Sequence, residues 1–235
     1  MAKHKLARWV ELGTFRNVIQ PEAGSPLGKE HHIKGKWNKE IFGNDNPVIL
    51  ELGCGKGEYT VGLAERFPNN NYVGIDIKGS RMWRGAKTAD DKKLLNTAFL
   101  RTRIEFINSF FAEDEVDEMW ITFPDPQLEN RNSNKRLTCP WFLNKYRSFL
   151  KDNGIIHLKT DNPELYNYTK SLVEKNGLEI VSAMGDLYSE KPGDDILSIR
   201  TYYESIFLKE RHKICYLTFR LDKNRIIEDG TAKIN

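Results

Sequence analysis

The chain has 235 residues, 39% of them apolar, and a net charge of +3 from 36 Lys and Arg against 33 Asp and Glu. That is enough for the core of one large α/β domain, and too slight a charge to mark a nucleic-acid binder by itself. Cys54, Cys139 and Cys215 lie far apart with no C-x-x-C pair, which argues against a disulfide framework or a zinc site, while no apolar run reaches membrane-span length and the polar start Met1-Ala2-Lys3-His4-Lys5 lacks a secretory core, so a cytoplasmic protein without a membrane partner is expected.

The basic character is concentrated early: residues 1–40 hold eight Lys or Arg against four Glu. Pro21, Gly24, Pro26, Gly28 and Gly35 punctuate this part, and the composition predicts a mostly irregular basic extension over residues 1–36, with the main domain over 37–235. His31-His32 lack further ligands at metal spacing and read as surface histidines, so no metal is expected. Trp37 and Phe42 precede a turn cluster, Gly43 to Pro47, and are expected to pack on the edge of the strand that follows.

That strand, Val48 to Leu52, is apolar except for Glu51, and it breaks into Gly53-Cys54-Gly55-Lys56-Gly57 before an amphipathic helix from Glu58 to Phe67. Alternate glycines let the backbone turn with positive φ and approach a ligand closely, so Gly53 and Gly55 are candidates for a cofactor cradle. A dinucleotide fingerprint requires G-x-G-x-x-G, but the third position is Glu58 counted from Gly53 and Thr60 counted from Gly55. What remains is E-x-G-x-G-x-G, in which Glu51 at the strand's carboxyl end suits the cationic amino acid portion of S-adenosylmethionine. A glycine-rich turn without ligand is the competing reading of this stretch alone.

The second apolar strand, Tyr72 to Asp76, ends on an acid nineteen residues beyond Gly57. In doubly wound sheets such an acid accepts hydrogen bonds from the ribose hydroxyls of an adenosyl group; taken singly, Asp76 is also an N-cap for the next helix. Gly79 to Leu95 reads as a solvated outer helix. Thr97 to Arg101 is a short strand, and the Thr102-Arg103 turn after it is expected to border the adenine, chiefly through its backbone, before an apolar short helix over 104–111. The strand Met119 to Phe123 runs into Pro124-Asp125-Pro126, where the switch-point rule turns Asp125 toward the reacting atoms; a rigid turn with a locally capping Asp is the alternative. The polar loop Gln127 to Arg136 is either a nucleic-acid contact beside the site or simply exposed. A helix over 140–150, a strand from Ile155 to Asp161 with His157 in its core, a helix over 162–175, a strand over 178–184 and a last strand over 214–221 complete the chain. Seven strands alternating with helices predict an α/β, doubly wound, mostly parallel, Rossmann-like sheet with one antiparallel strand inserted late.

Gly43-Asn44 through Gly57, Tyr72 to Asp76, Phe123-Pro124-Asp125-Pro126 with Arg131 and Lys135-Arg136-Leu137, Lys159-Thr160-Asp161 and Thr201-Tyr202-Tyr203-Glu204 together resemble the bacterial tRNA (guanine-N7)-methyltransferase family over roughly residues 30–221. The resemblance implies a class I S-adenosylmethionine-dependent methyltransferase domain over 37–235 that modifies N7 of a guanine in the variable loop of tRNA. It implies that Glu51, Asp76, the position of Arg103 and Asp125 contact the cofactor with Gly53 and Gly55, that Asp125 is catalytic, and that Asp161, Thr201, Tyr202, Tyr203 and Glu204 hold the guanosine. Thr-x-x-Glu is equally the pattern of an N-terminal capping box, and both readings remain open for residues 201–204. Where relatives read Asp-Pro-Trp-Pro-Lys, this chain has Asp125-Pro126-Gln127-Leu128-Glu129, and a usual His is Asn132. An acid thus replaces the family's substrate-facing lysine. The basic N-terminus with Arg131, Lys135 and Arg136 is expected to meet tRNA phosphates. The alternatives are a methyltransferase for a small molecule or protein and a non-catalytic tRNA-binding relative; monomer and homodimer fit the sequence equally.

Overall fold

In the computed structural model, which describes residues 2–21, 29–191, 193–194 and 196–229, the strands assemble into one sheet. They are β1 (Val18–Ile19), β2 (Val48–Leu52), β3 (Asn71–Asp76), β4 (Thr97–Arg101), β5 (Val116–Thr122), β6 (Leu150–Thr160), β7 (Ile180–Met184) and β8 (Cys215–Leu221), in the spatial order β1-β4-β3-β2-β5-β6-β8-β7. Only β8 runs against its neighbours, wedged between β6 and β7. The helices are α1 (Ala2–Leu12), α2 (Glu58–Arg66), α3 (Gly79–Asp91), α4 (Pro140–Tyr146), α5 (Pro163–Lys175), α6 (Leu187–Glu190) and α7 (Tyr202–Lys209). From β2 the chain winds outward through β3 to β4, then returns to β5 and β6 on the other side. The carboxyl ends of β2 and β5 therefore flank the switch point, where a ligand crevice opens.

Every residue of β2 is buried, as a strand covered on both faces requires. Val48, Leu50 and Leu52 enter the core that also holds Trp37, Phe111 and Phe149, whereas Ile49 faces the opposite core with Tyr59, Trp120 and Tyr216. Alternation thus turns Glu51 toward the α2 side. Trp37 belongs to the core and not to a strand edge: it is fully buried, stacks on Phe111 at 5.1 Å between centroids, and its indole N–H donates to Phe110 O at 2.9 Å.

Three further expectations are revised. The sheet has eight strands among the described residues, one more than the seven expected, because the two-residue β1 pairs in parallel with β4 through Val18 and Ile19. The N-terminal stretch, expected to be mostly irregular, contains one helix as well as β1 among its described residues, which leave out 1 and 22–28. Residues 2–12 form α1, whose Leu12 is buried with Met82 and Ala86 of α3. Trp83 Nε1 donates to Glu11 at 2.8 Å and the Arg8 guanidinium sits 4.7 Å from the Trp83 ring, so α3 is covered by α1 and is not a free outer helix.

Candidate active site

The glycine loop leaves β2 and enters α2 with Gly53, Gly55 and Gly57 at φ of 73°, 55° and 70°. These glycines serve different ends. A Cβ on Gly57 would fall 2.6 Å from the Phe99 ring and 3.1 Å from Gly85 Cα, so this position lets the loop pack on α3. A Cβ on Gly53 would meet nothing within 4 Å, and one on Gly55 only Gly53 O at 3.9 Å, which leaves open space where a ligand can lie against bare backbone. Gly57→Ala is expected to destabilise the fold by about 2 kcal/mol through left-handed strain and overpacking. An unchanged denaturant midpoint would remove this account of the loop.

Asp76 locks the loop in place. Its Oδ2 accepts Gly55 N–H at 3.0 Å and its Oδ1 accepts Lys78 N–H at 2.7 Å, so it braces the loop and closes the turn before α3, whose N-cap is Lys78. A carboxylate has about four lone-pair sites, which leaves capacity for two hydroxyl donors. Asp76, Gly53 and Arg103 all line a cleft of about 580 Å³, with Thr102 at its edge and Ile77, Ile104, Leu137 and Trp141 as apolar walls. The size and the mix of apolar walls with a few polar groups suit a nucleoside-type ligand. The Arg103 guanidinium pairs with Glu105 at 2.9 Å, and both residues line the cleft. Sequence reasoning did not place Leu137 and Trp141 at the cleft, since they are distant in sequence from Thr102 and Arg103 and line it with them only in the fold.

Glu51 lies beneath the loop, 3% exposed. One carboxyl oxygen accepts from Thr60 N–H at 2.9 Å and from the Thr60 hydroxyl, the other from Thr122 Oγ1 at 2.6 Å. Burial raises its pKa from the ordinary 4.5 to about 7, against the opposing pull of the Thr122 and Thr60 hydrogen bonds. Glu51 therefore ties β2, α2 and β5 together directly under the switch point.

Asp125 is exposed at the carboxyl end of β5 and accepts Gln127 N–H at 3.2 Å. Phe123 and Gln127 on either side have φ of 49° and 48°, a conformation that non-glycine residues rarely adopt and that clusters at functional sites. Arg136 braces this strained turn from behind, donating through Nε to Pro126 O and Gln127 O at 3.3 and 3.2 Å while its guanidinium lies 4.4 Å from the Tyr168 ring. Arg136 is thus built into the turn through Nε while its side chain remains partly exposed. Arg131 is paired with Glu129 at 2.6 Å, so the acid at the family's lysine position is neutralised within its own loop.

The third part is a clamp. Lys159 in β6 is wholly buried, and its Nζ donates to Leu197 O at 2.7 Å, Ile199 O at 3.3 Å and Glu204 Oε1 at 2.8 Å. Tyr188 OH donates to the same Glu204 oxygen at 2.6 Å. Desolvation lowers the Lys159 pKa, against the raising effect of Glu204. Thr201 and Glu204 also form a capping box at the start of α7: Thr201 Oγ1 accepts Glu204 N–H at 3.1 Å and the Glu204 carboxylate accepts Thr201 N–H at 3.4 Å. The carboxylate of Glu204 is thus spent inside the protein. Tyr202 and Tyr203 are instead turned outward, 51% and 39% exposed, with Lys56 Nζ 3.4 Å from the Tyr202 ring. Phe123 N–H donates to Lys159 O at 2.8 Å and the Phe123 ring lies 5.8 Å from Phe207, which seats α7 beside the Asp125 turn and Asp161 at the end of β6. Asp161 is half-buried, with His212 Nδ1 at 3.7 Å.

Glu51, Gly53, Gly55, Asp76 and Arg103 are therefore gathered around the cleft and its floor. Asp125, Asp161 and residues 201–204 border the same carboxyl edge on the β5 and β6 side. Among the described residues no group of three or more His, Cys, Asp or Glu is placed to hold a metal ion, and no helix is long and apolar enough to cross a membrane.

Residues 45–217 match a family described as "Putative methyltransferase". The chain is 45% identical over 234 residues to the tRNA (guanine-N(7)-)-methyltransferase of Bacteroides thetaiotaomicron, covering 100% of this chain and 92% of that protein. It is 52% identical over 208 residues to the protein of the same name from Porphyromonas gingivalis, covering 88% and 82%. In fold it is similar to the crystal structure of the 16S rRNA methyltransferase KamB, with a TM-score of 0.61 at 14% identity, covering 85% of this chain and 98% of that one.

Proposed function

From membership in the tRNA (guanine-N(7)-)-methyltransferase family, to which this chain belongs, we infer that it transfers the methyl group of S-adenosylmethionine to N7 of a guanine in tRNA. The target is a guanine of the variable loop, and the reaction takes place in the cytoplasm, in keeping with three buried, unpaired cysteines. The observation that carries the assignment of roles is the convergence of the glycine cradle, the strained Asp125 turn and the α7 clamp on one switch point.

When bound, the cofactor supplies an electrophilic methyl group on a sulfonium. Gly53 and Gly55 would give it bare backbone to lie on, Asp76 would receive ribose hydroxyls with its remaining lone pairs, and Ile77, Ile104 and Trp141 would supply apolar walls for the adenine. Arg103 borders it through the backbone of its turn. Glu51 acts from below, holding the loop and supplying negative charge toward the amino acid end when it is ionised. Guanine N7 has a lone pair and no proton, so no general base is needed. Positioning then carries the reaction, and near-attack geometry supplies roughly 7 to 11 kcal/mol of such a barrier. Asp125 orients donor and base. Asp161, Thr201 and the exposed rings of Tyr202 and Tyr203 hold the guanosine, while Glu204 serves by anchoring α7.

Incubation with unmodified tRNA and labelled S-adenosylmethionine, followed by mapping of the modified nucleotide, is expected to find N7-methylguanine at one variable-loop position. Methylation of another base, or of small molecules only, would overturn the assignment. Asp125→Ala is expected to lower turnover at saturating substrates by roughly 10- to 100-fold, the scale of a misplaced reactant, with tRNA affinity nearly unchanged. Full turnover in that variant removes Asp125 from the reaction.

A further inference from the structure

The glycine loop and the cofactor cleft are bordered by a rim of cations and aromatic rings that comes from five separate parts of the chain. Lys56 of the glycine loop lies against Tyr202 of α7, and the Arg81 guanidinium of α3 lies 5.8 Å from the Tyr203 ring. Farther along, the Arg101 guanidinium of β4 lies 4.8 Å from the ring of Trp9 on α1. Trp9 is 49% exposed although its helix is docked on α3 through Leu12 and Glu11. Trp9 and Arg101 together line one side of a second cleft of about 670 Å³, which Leu6, Lys78 and Arg81 also line. Ile77 lines both clefts, so the two are neighbours that share this side chain as a wall.

Charge decides what this rim fits. Ion pairs form on either side of it, between Lys87 and both Glu11 and Asp91 and between Arg103 and Glu105. Lys56, Lys78, Arg81 and Arg101 take no carboxylate partner among the described residues. Four unneutralised cations interleaved with exposed aromatic faces are the pattern of a nucleic-acid track, in which cations follow phosphates and rings stack on bases. A protein partner of ordinary composition would require acidic groups at matching positions. A polyanion with flat faces needs no such coincidence.

We propose that α1 is part of the tRNA-binding surface. Trp9 stacks on an exposed base of the bound tRNA, and Lys78, Arg81 and Arg101 hold the adjoining phosphates along a path from Tyr202 and Tyr203 past the cofactor cleft. The proposal rests on the tRNA methyltransferase assignment and adds a contact remote from the reacting guanine.

The test measures tRNA affinity, salt dependence and S-adenosylmethionine affinity for the full chain and for Trp9→Ala, Trp9→Phe and Arg81→Ala. Trp9→Ala is expected to weaken tRNA binding roughly 5- to 100-fold, the range of one lost base stack, and to raise the tRNA KM with kcat kept. Trp9→Phe should restore most of the affinity, and Arg81→Ala should reduce the salt slope by about 1. Cofactor affinity and melting temperature should stay at wild-type values in all three. Wild-type tRNA affinity in Trp9→Ala overturns the proposal, as does a loss accompanied by weaker cofactor binding or a lower melting temperature. A shift from dimer to monomer with tRNA affinity unchanged assigns the surface to a second copy and also overturns it. Failure of the wild-type protein to methylate any tRNA would instead sink the underlying assignment, whereas normal methylation with an indifferent Trp9 sinks this proposal alone.

Discussion

Lys159→Met should cost about 3–5 kcal/mol of folding stability, because it leaves the Glu204 carboxylate buried without its cation. Lys159 and Glu204 are both wholly enclosed, and Lys159 holds two backbone carbonyls besides the carboxylate. Truncation therefore takes the donor from two backbone carbonyls and the cation from Glu204, which keeps only its neutral donors Tyr188 and Thr201. The expected pattern in a double-mutant cycle is that Lys159→Met and Glu204→Leu together cost less than the sum of the two single changes, since the pair then leaves no isolated charge. Denaturant unfolding of the four proteins measures this. A loss below about 1 kcal/mol in Lys159→Met would mean that the clamp contributes little.

The second large effect is a pH dependence set by Glu51. Its folded pKa of about 7 lies above the ordinary 4.5, so between these values the native state holds a proton that the unfolded chain has released. Stability from this group is fully present below pH 4.5, falls as pH rises and is lost above about 7. The total is about 3 kcal/mol, from 1.36 kcal/mol per pKa unit. Glu51→Gln keeps the shape and removes the titration, so the difference in unfolding free energy between variant and wild type should change by about that amount across this window. A difference that stays constant from pH 4.5 to 7.5 would show that Glu51 does not titrate as its burial requires.

Local features carried much of the fold in the sequence. An apolar strand, alternate glycines and an amphipathic helix lie within twenty residues, and their order marks the turn at the switch point without any long-range contact. Asp76 was legible for the same reason: its distance from Gly57 is set by one helix and one strand. What stayed hidden depended on distant partners. Leu6, Trp9, Val10 and Leu12 have helical spacing, but α1 is short and has no acid in its first turn, so its stability comes from α3, some seventy residues on. Lys159 sat in plain view inside an apolar strand, and a buried lysine demands a carboxylate. Nothing local indicated that the carboxylate was Glu204, on which the capping box and the guanosine reading also converged. The capping box is present, and the carboxylate faces inward.

Asp76 grips the amides of Gly55 and Lys78 through the protein's own hydrogen bonds. The cradle is therefore moulded before its guest arrives. The entropy of ordering that turn is met when the chain folds and is not subtracted from each binding event, which leaves more of the contact energy to appear as affinity. The methylated cofactor and its demethylated product would meet the same rigid mould. Discrimination between them then falls to the immediate surroundings of the one group in which they differ.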